Sequence, residues 1–291
     1  MRYRLENEEL TVEVESFGAE IKSVVRRDNG FEYMWQADPV FWGRTSPVLF
    51  PVVGSFRDKK YTYNGNTYTM GQHGFARDNE FMFLSQSDNE IWFSLKDTEV
   101  TRANFPFGFE LKIGYRLVEN CLTVLWSVKN SDSKELYFSI GAHPAFNVML
   151  EGEASKAEYG LMFPGKEKLS YHKITKDGLS VPTEFDLPLE AEKVCFGEDL
   201  LAESAILFER NQCKEVALIK PDGEKLVTVS FDTPLFAIWS PEGKNAPFVC
   251  IEPWYGRCDA ADFVGDLQDR VYGNVAMPGE VFERSYQISF E

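Results

Sequence analysis

Histidine is scarce in this chain, with three in 291 residues, so chemistry that needs an imidazole must draw on His73, His143 or His172. Templates for metals and nucleotides are missing. No two histidines stand at the H-x-x-x-H spacing of a zinc helix, and there is no G-x-G-x-x-G, Walker loop or G-x-S-x-G elbow. The five cysteines are scattered, odd in number and without a C-x-x-C pair, which reads as reduced thiols, with Cys250 a small buried hydrophobe. His73, His143 and Glu252 would be a two-histidine, one-carboxylate set by residue type, but their spacing argues against it. The expectation is no metal and no cofactor.

Positive charge is also short. A formal net charge of −16 repels phosphate backbones, which are bound through clustered Lys and Arg, so no nucleic-acid partner is expected. No apolar run reaches the roughly 18 residues of a membrane span. The opening Met1-Arg2-Tyr3-Arg4-Leu5-Glu6-Asn7-Glu8-Glu9 lacks the apolar core of a signal peptide. These absences predict a cytoplasmic protein with no membrane partner.

Helical periodicity is poor as well, confined to Thr98–Asn104, ended by Pro106, and Leu189–Leu201. What is present is period-2 alternation. Leu10, Val12 and Val14 alternate with polar residues, and Phe109–Leu117 followed by Leu122–Val128 repeats the pattern on either side of Glu119-Asn120. Hairpins are predicted for Ile21–Arg27 with Phe31–Trp35 across Asp28-Asn29-Gly30, for Tyr61–Tyr63 with Thr67-Tyr68 across Asn64-Gly65-Asn66, and for Phe81–Leu84 with Ile91–Leu95. Further runs stand at Leu136–Ile140, Ala205–Phe208, Val216–Lys220, Leu226–Phe231, Leu235–Trp239, Phe248–Ile251 and Val281–Phe290. Many strands and few helices predict an all-β fold, a large antiparallel β-sandwich or barrel. Glu151–Glu203 is the least regular stretch and could be a long insertion, but no linker isolates it, so residues 1–291 are expected to form one domain.

Glu252 follows Phe248-Val249-Cys250-Ile251 directly. A carboxyl group at the buried end of a strand has its pKa raised toward the range of a general base, and the rest of the chain is read as holding it opposite His143. His143 lies past a strand among small residues, in Gly141-Ala142-His143-Pro144-Ala145. His73 occupies the glycine-rich Gly71-Gln72-His73-Gly74-Phe75-Ala76-Arg77, with a cation four residues on, and His172 reads as ordinary surface. Aromatic faces beside polar donors suit sugar rings, and of Trp35, Trp42, Trp239 and Trp254 most are expected to be core, with Trp254, two residues after Glu252, having the best claim to a pocket.

Three of these stretches, His73-Gly74-Phe75-Ala76-Arg77, Gly141-Ala142-His143-Pro144-Ala145-Phe146-Asn147 and Ile251-Glu252-Pro253-Trp254, together with Arg44-Thr45-Ser46-Pro47-Val48-Leu49-Phe50-Pro51 and Pro278-Gly279-Glu280, resemble the aldose 1-epimerase (galactose mutarotase-like) superfamily, most closely its LacX-like branch. The resemblance spans nearly the whole chain. It implies a galactose mutarotase-like β-sandwich with few short helices and a cofactor-free isomerase acting on a sugar, as a monomer or homodimer. It also implies His143 as general acid, Glu252 as general base, and Arg44, His73, Arg77 and Trp254 as sugar-binding residues. The reaction implied is interconversion of α and β anomers: a base takes the C1 hydroxyl proton while an acid protonates the ring oxygen. Pro253-Trp254 and Pro144-Ala145 replace the Thr-Gln and aromatic pair of galactose-specific members, so galactose specificity does not carry over. The first stretch also resembles hexose-6-phosphate mutarotases, which would give Arg44, Arg77 and Arg257 a phosphate to hold. A sugar-binding or sensing protein that keeps the pocket without turnover is the reading from another class, and a metal-dependent sugar enzyme is a third.

Overall fold

The alternating run after Phe109 becomes a ribbon of two ten-residue strands, Phe109–Val118 and Cys121–Asn130, in which Leu117 faces Leu122 and Ile113 faces Trp126. Its inward residues, from Leu111 to Leu117 and from Leu122 to Val128, are buried. Each such side chain contributes about 1.5–3 kcal/mol relative to exposure. The computed structural model describes residues 1–148, 155–197, 200–201 and 205–291. Among the described residues this ribbon lies within a nine-stranded sheet, flanked by Val281–Phe290 and Glu90–Lys96. An eight-stranded sheet faces it, with Phe231 of the first 5.3 Å from Phe236 of the second, and Trp126 6.3 Å from Tyr255, between ring centres. The fold is a large antiparallel β-sandwich.

Two expectations give way to local chemistry. The stretch from Leu189 is not helical where it is described: Ala191 and Glu192 take positive φ in a turn, and Lys193–Cys195 pairs with Gly160–Met162. Glu198 and Asp199 lie outside the described residues. The arm Phe31–Trp35 turns back on Glu20–Arg26 as expected, Arg26 donating to the Phe31 carbonyl at 2.8 Å and Tyr33 to that of Val24 at 3.0 Å, but the pairing is a single antiparallel bridge of Val25 with Glu32 and not a full strand. Glu32 accepts the N–H groups of Val24 and Met34 through its carboxylate, at 2.9 and 2.8 Å, and Glu20–Arg26 pairs with Leu10–Glu15. The short helix Glu99–Asn104 does form, with Thr98 as its cap. The described part of the irregular stretch is woven into both sheets, through Gly160–Met162 and Lys193–Cys195 in one and Lys168–Ile174 and Ser180–Pro188 in the other. No helix among the described residues is long and apolar enough to cross a membrane.

The strand that positions the site is Phe248–Tyr255, central in the eight-stranded sheet and buried throughout. Val249, Ile251 and Tyr255 enter the main core, whereas Phe248, Cys250 and Trp254 pack in separate clusters on the other face. By the two-residue period Glu252 shares that outer face.

Candidate active site

Glu252 does not end its strand, as the apolar run suggests; the strand continues to Tyr255. On one side it pairs with Leu235–Trp239, placing Ala237 beside Glu252. On the other side Gly141 pairs with Trp254 and Ala145 with Cys250, a constant register that sets His143 across from Glu252. That second ladder is interrupted between the two pairs, where Pro144 and Pro253 have no N–H to offer. Residues directly across a ladder have Cβ atoms about 4.5–5.5 Å apart, so the side chains meet: His143 Nε2 lies 3.3 Å from Glu252 Oε2. The two groups are therefore side by side, not opposite one another across a pocket.

Both are deeply buried, Glu252 at 1% exposure and His143 at 7%. Burial drives the Glu252 carboxyl well above its usual range, with the Trp254 side chain working against the rise. Burial also pushes the His143 imidazole down to about 3, helped by the positive charges of Arg77 and Arg44. Glu252 Oε2 and His143 Nδ1 have no hydrogen-bond partner. Buried polar atoms are normally paired, and those left unpaired call for an explanation such as a ligand or a chemical role.

The pair opens on a cavity of about 360 Å³. His73 enters it from a loop whose next residue, Gly74, has φ +69° and sits so close to Phe50 that a Cβ would lie 2.3 Å from its carbonyl oxygen. Gly54 donates its N–H to His73 Nδ1 at 3.1 Å, so the ring proton of neutral His73 is on Nε2. Burial first, then Arg77, holds this ring well below its ordinary pKa. His73 is therefore a neutral donor, its ring edge-on to His143 at 5.6 Å between centres. Arg77, pushed down to about 10 by burial, donates to the carbonyl of Gln72 at 2.7 Å, while its Nε makes no hydrogen bond and lies 3.8 Å from Asp78. Arg44 pairs with Asp78 at 2.7 Å, on a loop held by Glu20, which accepts the N–H groups of Thr45 and Ser46 at 2.8 Å each.

Arg44, His73, Arg77 and Trp254 all line the cavity with His143 and Glu252. Trp254 is a floor rather than a platform: 2% exposed, it donates its indole N–H to Ala142 and occupies the space that Gly141 leaves open, where a Cβ would lie 2.6 Å from Trp254 Cδ1. The small residues beside His143 thus admit a neighbouring side chain. The accessible aromatic walls are Trp42, stacked on His143 at 4.7 Å, and Trp239, edge-on at 5.3 Å, both half-buried. Both pack against the buried cluster of Trp35, Phe248 and Cys250 with one side and face the cavity with the other, whereas Trp254 is the ring the sequence favours for the pocket. Trp239 pairs with Cys250, two residues from Glu252 on the same face, so the hairpin register is the signal that finds it. Trp42 sits outside any alternating run, two residues before Arg44, which is its only hint. Gln72, Lys176 and Glu242 also line the cavity and carried no signal of their own. Arg257 does not reach it: its guanidinium is 3.3 Å from Glu209 and donates to Ser180 at 2.6 Å. His172 lies in Lys168–Ile174 with Nδ1 against the carbonyls of Val181 and Thr183.

The family model of aldose 1-epimerase matches residues 1–280. The chain is 31% identical to the chromosomal and plasmid LacX proteins of Lactococcus lactis subsp. lactis, over 99% of this chain and 99% of each of theirs. Among solved structures it is similar to a galactose mutarotase related enzyme from Lactobacillus acidophilus, with 35% identity, a TM-score of 0.94, and coverage of 100% of this chain and 97% of that one. It is also similar to a galactose mutarotase-like protein from Lactobacillus casei, with 30% identity, a TM-score of 0.93 and full coverage of both. Sequence and architecture agree over their whole length: the chain belongs to the aldose 1-epimerase family, in the branch of the LacX proteins.

Proposed function

We propose that the protein is a mutarotase that interconverts the α and β anomers of a free aldose, with Glu252 as general base and His143 as general acid. The observation that carries this reading is the 3.3 Å contact between Nε2 and Oε2, buried at the floor of a cavity lined by aromatic rings and cations. The C1 hydroxyl and the ring oxygen of a pyranose are bonded to the same carbon, so an acid and a base serving both must be neighbours. A cavity of about 360 Å³ lies at the small end of ligand sites, roughly 300–1,000 Å³, which suits one sugar ring.

In the reactive arrangement ionised Glu252 removes the C1 hydroxyl proton while imidazolium His143 delivers a proton from Nε2 to the ring oxygen. The ring opens to the aldehyde, and Glu252 is left protonated and His143 neutral. The aldehyde rotates, and closure on its other face runs the same transfers backwards. His73 donates from Nε2–H to a sugar oxygen, Arg44 and Arg77 hold hydroxyls, and Trp42 and Trp239 cover the apolar face of the ring.

The test is polarimetric decay of freshly dissolved α-glucose and α-galactose. Acceleration over buffer is expected for at least one sugar, and Glu252→Gln and His143→Asn should each lower it by at least about 100-fold with the circular dichroism spectrum unchanged. Tight sugar binding without acceleration supports the non-catalytic reading instead. Near-wild-type rates in either variant remove that residue from its role.

A further inference from the structure

Cys250 takes no part in the proton transfers above, yet it stands two residues before Glu252 on the same face of the same strand, across the ladder from Ala145. His143 Nε2 or Nδ1, Cys250 Sγ and a Glu252 oxygen all lie within 4.8 Å of one another, and all three residues are buried. The 3.3 Å between Nε2 and Oε2 matches the edge of a tetrahedron whose bonds are about 2.0 Å, the usual zinc distance to nitrogen and oxygen. An edge to sulfur, with a zinc bond of about 2.3 Å, is roughly 3.5 Å, and Cys250 Sγ lies no more than 4.8 Å from either partner, so closing the site asks for a movement of at most a little over an ångström. Glu252 Oε2 is buried without a hydrogen-bond partner at this point. His143 and Glu252 line the open cavity while Cys250 packs behind them, at 0% exposure, so a three-ligand site here leaves the cavity side as the fourth position that zinc keeps for water or ligand.

We propose that a thiophilic divalent cation binds His143, Cys250 and Glu252 in place of the sugar and so inhibits the enzyme. Binding itself is independent of the proposed reaction; only the inhibition rests on that reading. The ion occupies the two groups that exchange protons with the substrate, so it competes with the sugar.

The experiment uses the full chain, stripped with a chelator that is then removed, and titrated with Co²⁺ and with Zn²⁺. One ion per chain is expected, with a thiolate-to-cobalt charge-transfer band. Cys250→Ser should lose the band and bind at least about tenfold more weakly, while Cys195→Ser, which removes an exposed thiol, should behave as wild type. Without metal, Cys250→Ser should keep wild-type anomerisation and resist the Zn²⁺ concentration that halves the wild-type rate. Absence of a bound ion, or equal binding by Cys250→Ser, overturns the proposal. Cys250-dependent binding in a protein that accelerates no anomerisation upholds the site and removes the proposed function alone.

Discussion

Glu252 and His143 together carry the same number of protons as carboxylate with imidazolium or as carboxylic acid with imidazole. Water-poor surroundings favour the uncharged form, as the upward displacement of Glu252 and downward displacement of His143 indicate. In the proposed reaction these two forms are the states before and after ring opening, so no proton has to come from solvent. The burial that makes this possible costs stability. The folded carboxyl titrates well above 4.5. Between 4.5 and its folded value the unfolded chain has lost this proton and the native chain has kept it, so its contribution to stability is full below 4.5 and declines as pH rises. Glu252→Gln escapes that decline. The melting temperature of the variant relative to wild type should therefore climb as pH rises above 4.5, by at most about 1.4 kcal/mol per pH unit, or roughly 2–4 °C, and level off once the native carboxyl has ionised. A gap that stays flat in differential scanning calorimetry would remove the buried-carboxyl account. At this scale much was legible: the sequence pointed to His143, Glu252, His73, Arg44, Arg77 and Trp254, and the fold brings all six to one cavity. The tautomer of His73 was not, because the Gly54 N–H that sets it comes from another loop.

The pairing of strands, not any single strand, puts imidazole against carboxyl. Sliding Ile140–Asn147 by one residue against Phe248–Tyr255 would break the pairing, since the side-chain period is two. Gly141 is one device that keeps the register, because only a hydrogen in place of a side chain leaves room for Trp254 over the pair Gly141 with Trp254. Gly141→Ala should cost about 1–3 kcal/mol through overpacking and lower kcat by displacing the Ala142–His143 backbone to which Trp254 is bonded. Thermal unfolding and polarimetry check the two halves, and an unperturbed kcat would remove Gly141 from the positioning of His143. Alternation foretold individual strands well, as at Phe109–Val118. It failed where a strand is buried on both faces. Phe248–Ile251 then reads as a short apolar run ending at a charge, although the strand continues through Glu252 and Pro253. It failed too near Leu189, where the backbone turn at Ala191 and Glu192 decides the structure before any periodicity can.

The molecule as a whole is acidic at −16, while its cavity gathers Arg44, Arg77 and Lys176, and these opposing signs bear on which sugar it takes. Both cavity arginines are already engaged, Arg44 by Asp78 at 2.7 Å and Arg77 by Asp78 at 3.8 Å and by the Gln72 carbonyl, while the exposed Lys176 shares the lining with Glu242. Arg257, which a phosphate grip would have used, is committed to Glu209. A sugar phosphate brings about 1.5–2 negative charges through a field set by the excess carboxylates, and gains little from arginines that must first leave their partners. A neutral aldose meets no such barrier. At low ionic strength kcat/KM should thus be at least about tenfold higher for a free hexose than for its 6-phosphate, a difference of about 1.4 kcal/mol or more. Added salt shortens the Debye length from about 30 Å at 0.01 M to about 8 Å at 0.15 M, which weakens the repulsion. It should narrow the gap by raising the phosphate's kcat/KM while leaving the free sugar's unchanged. A 6-phosphate that is the better substrate at low salt, and worsens as salt is added, would mean that Arg44 and Arg77 release Asp78 to grip it, and that the local cluster outweighs the acidic surface.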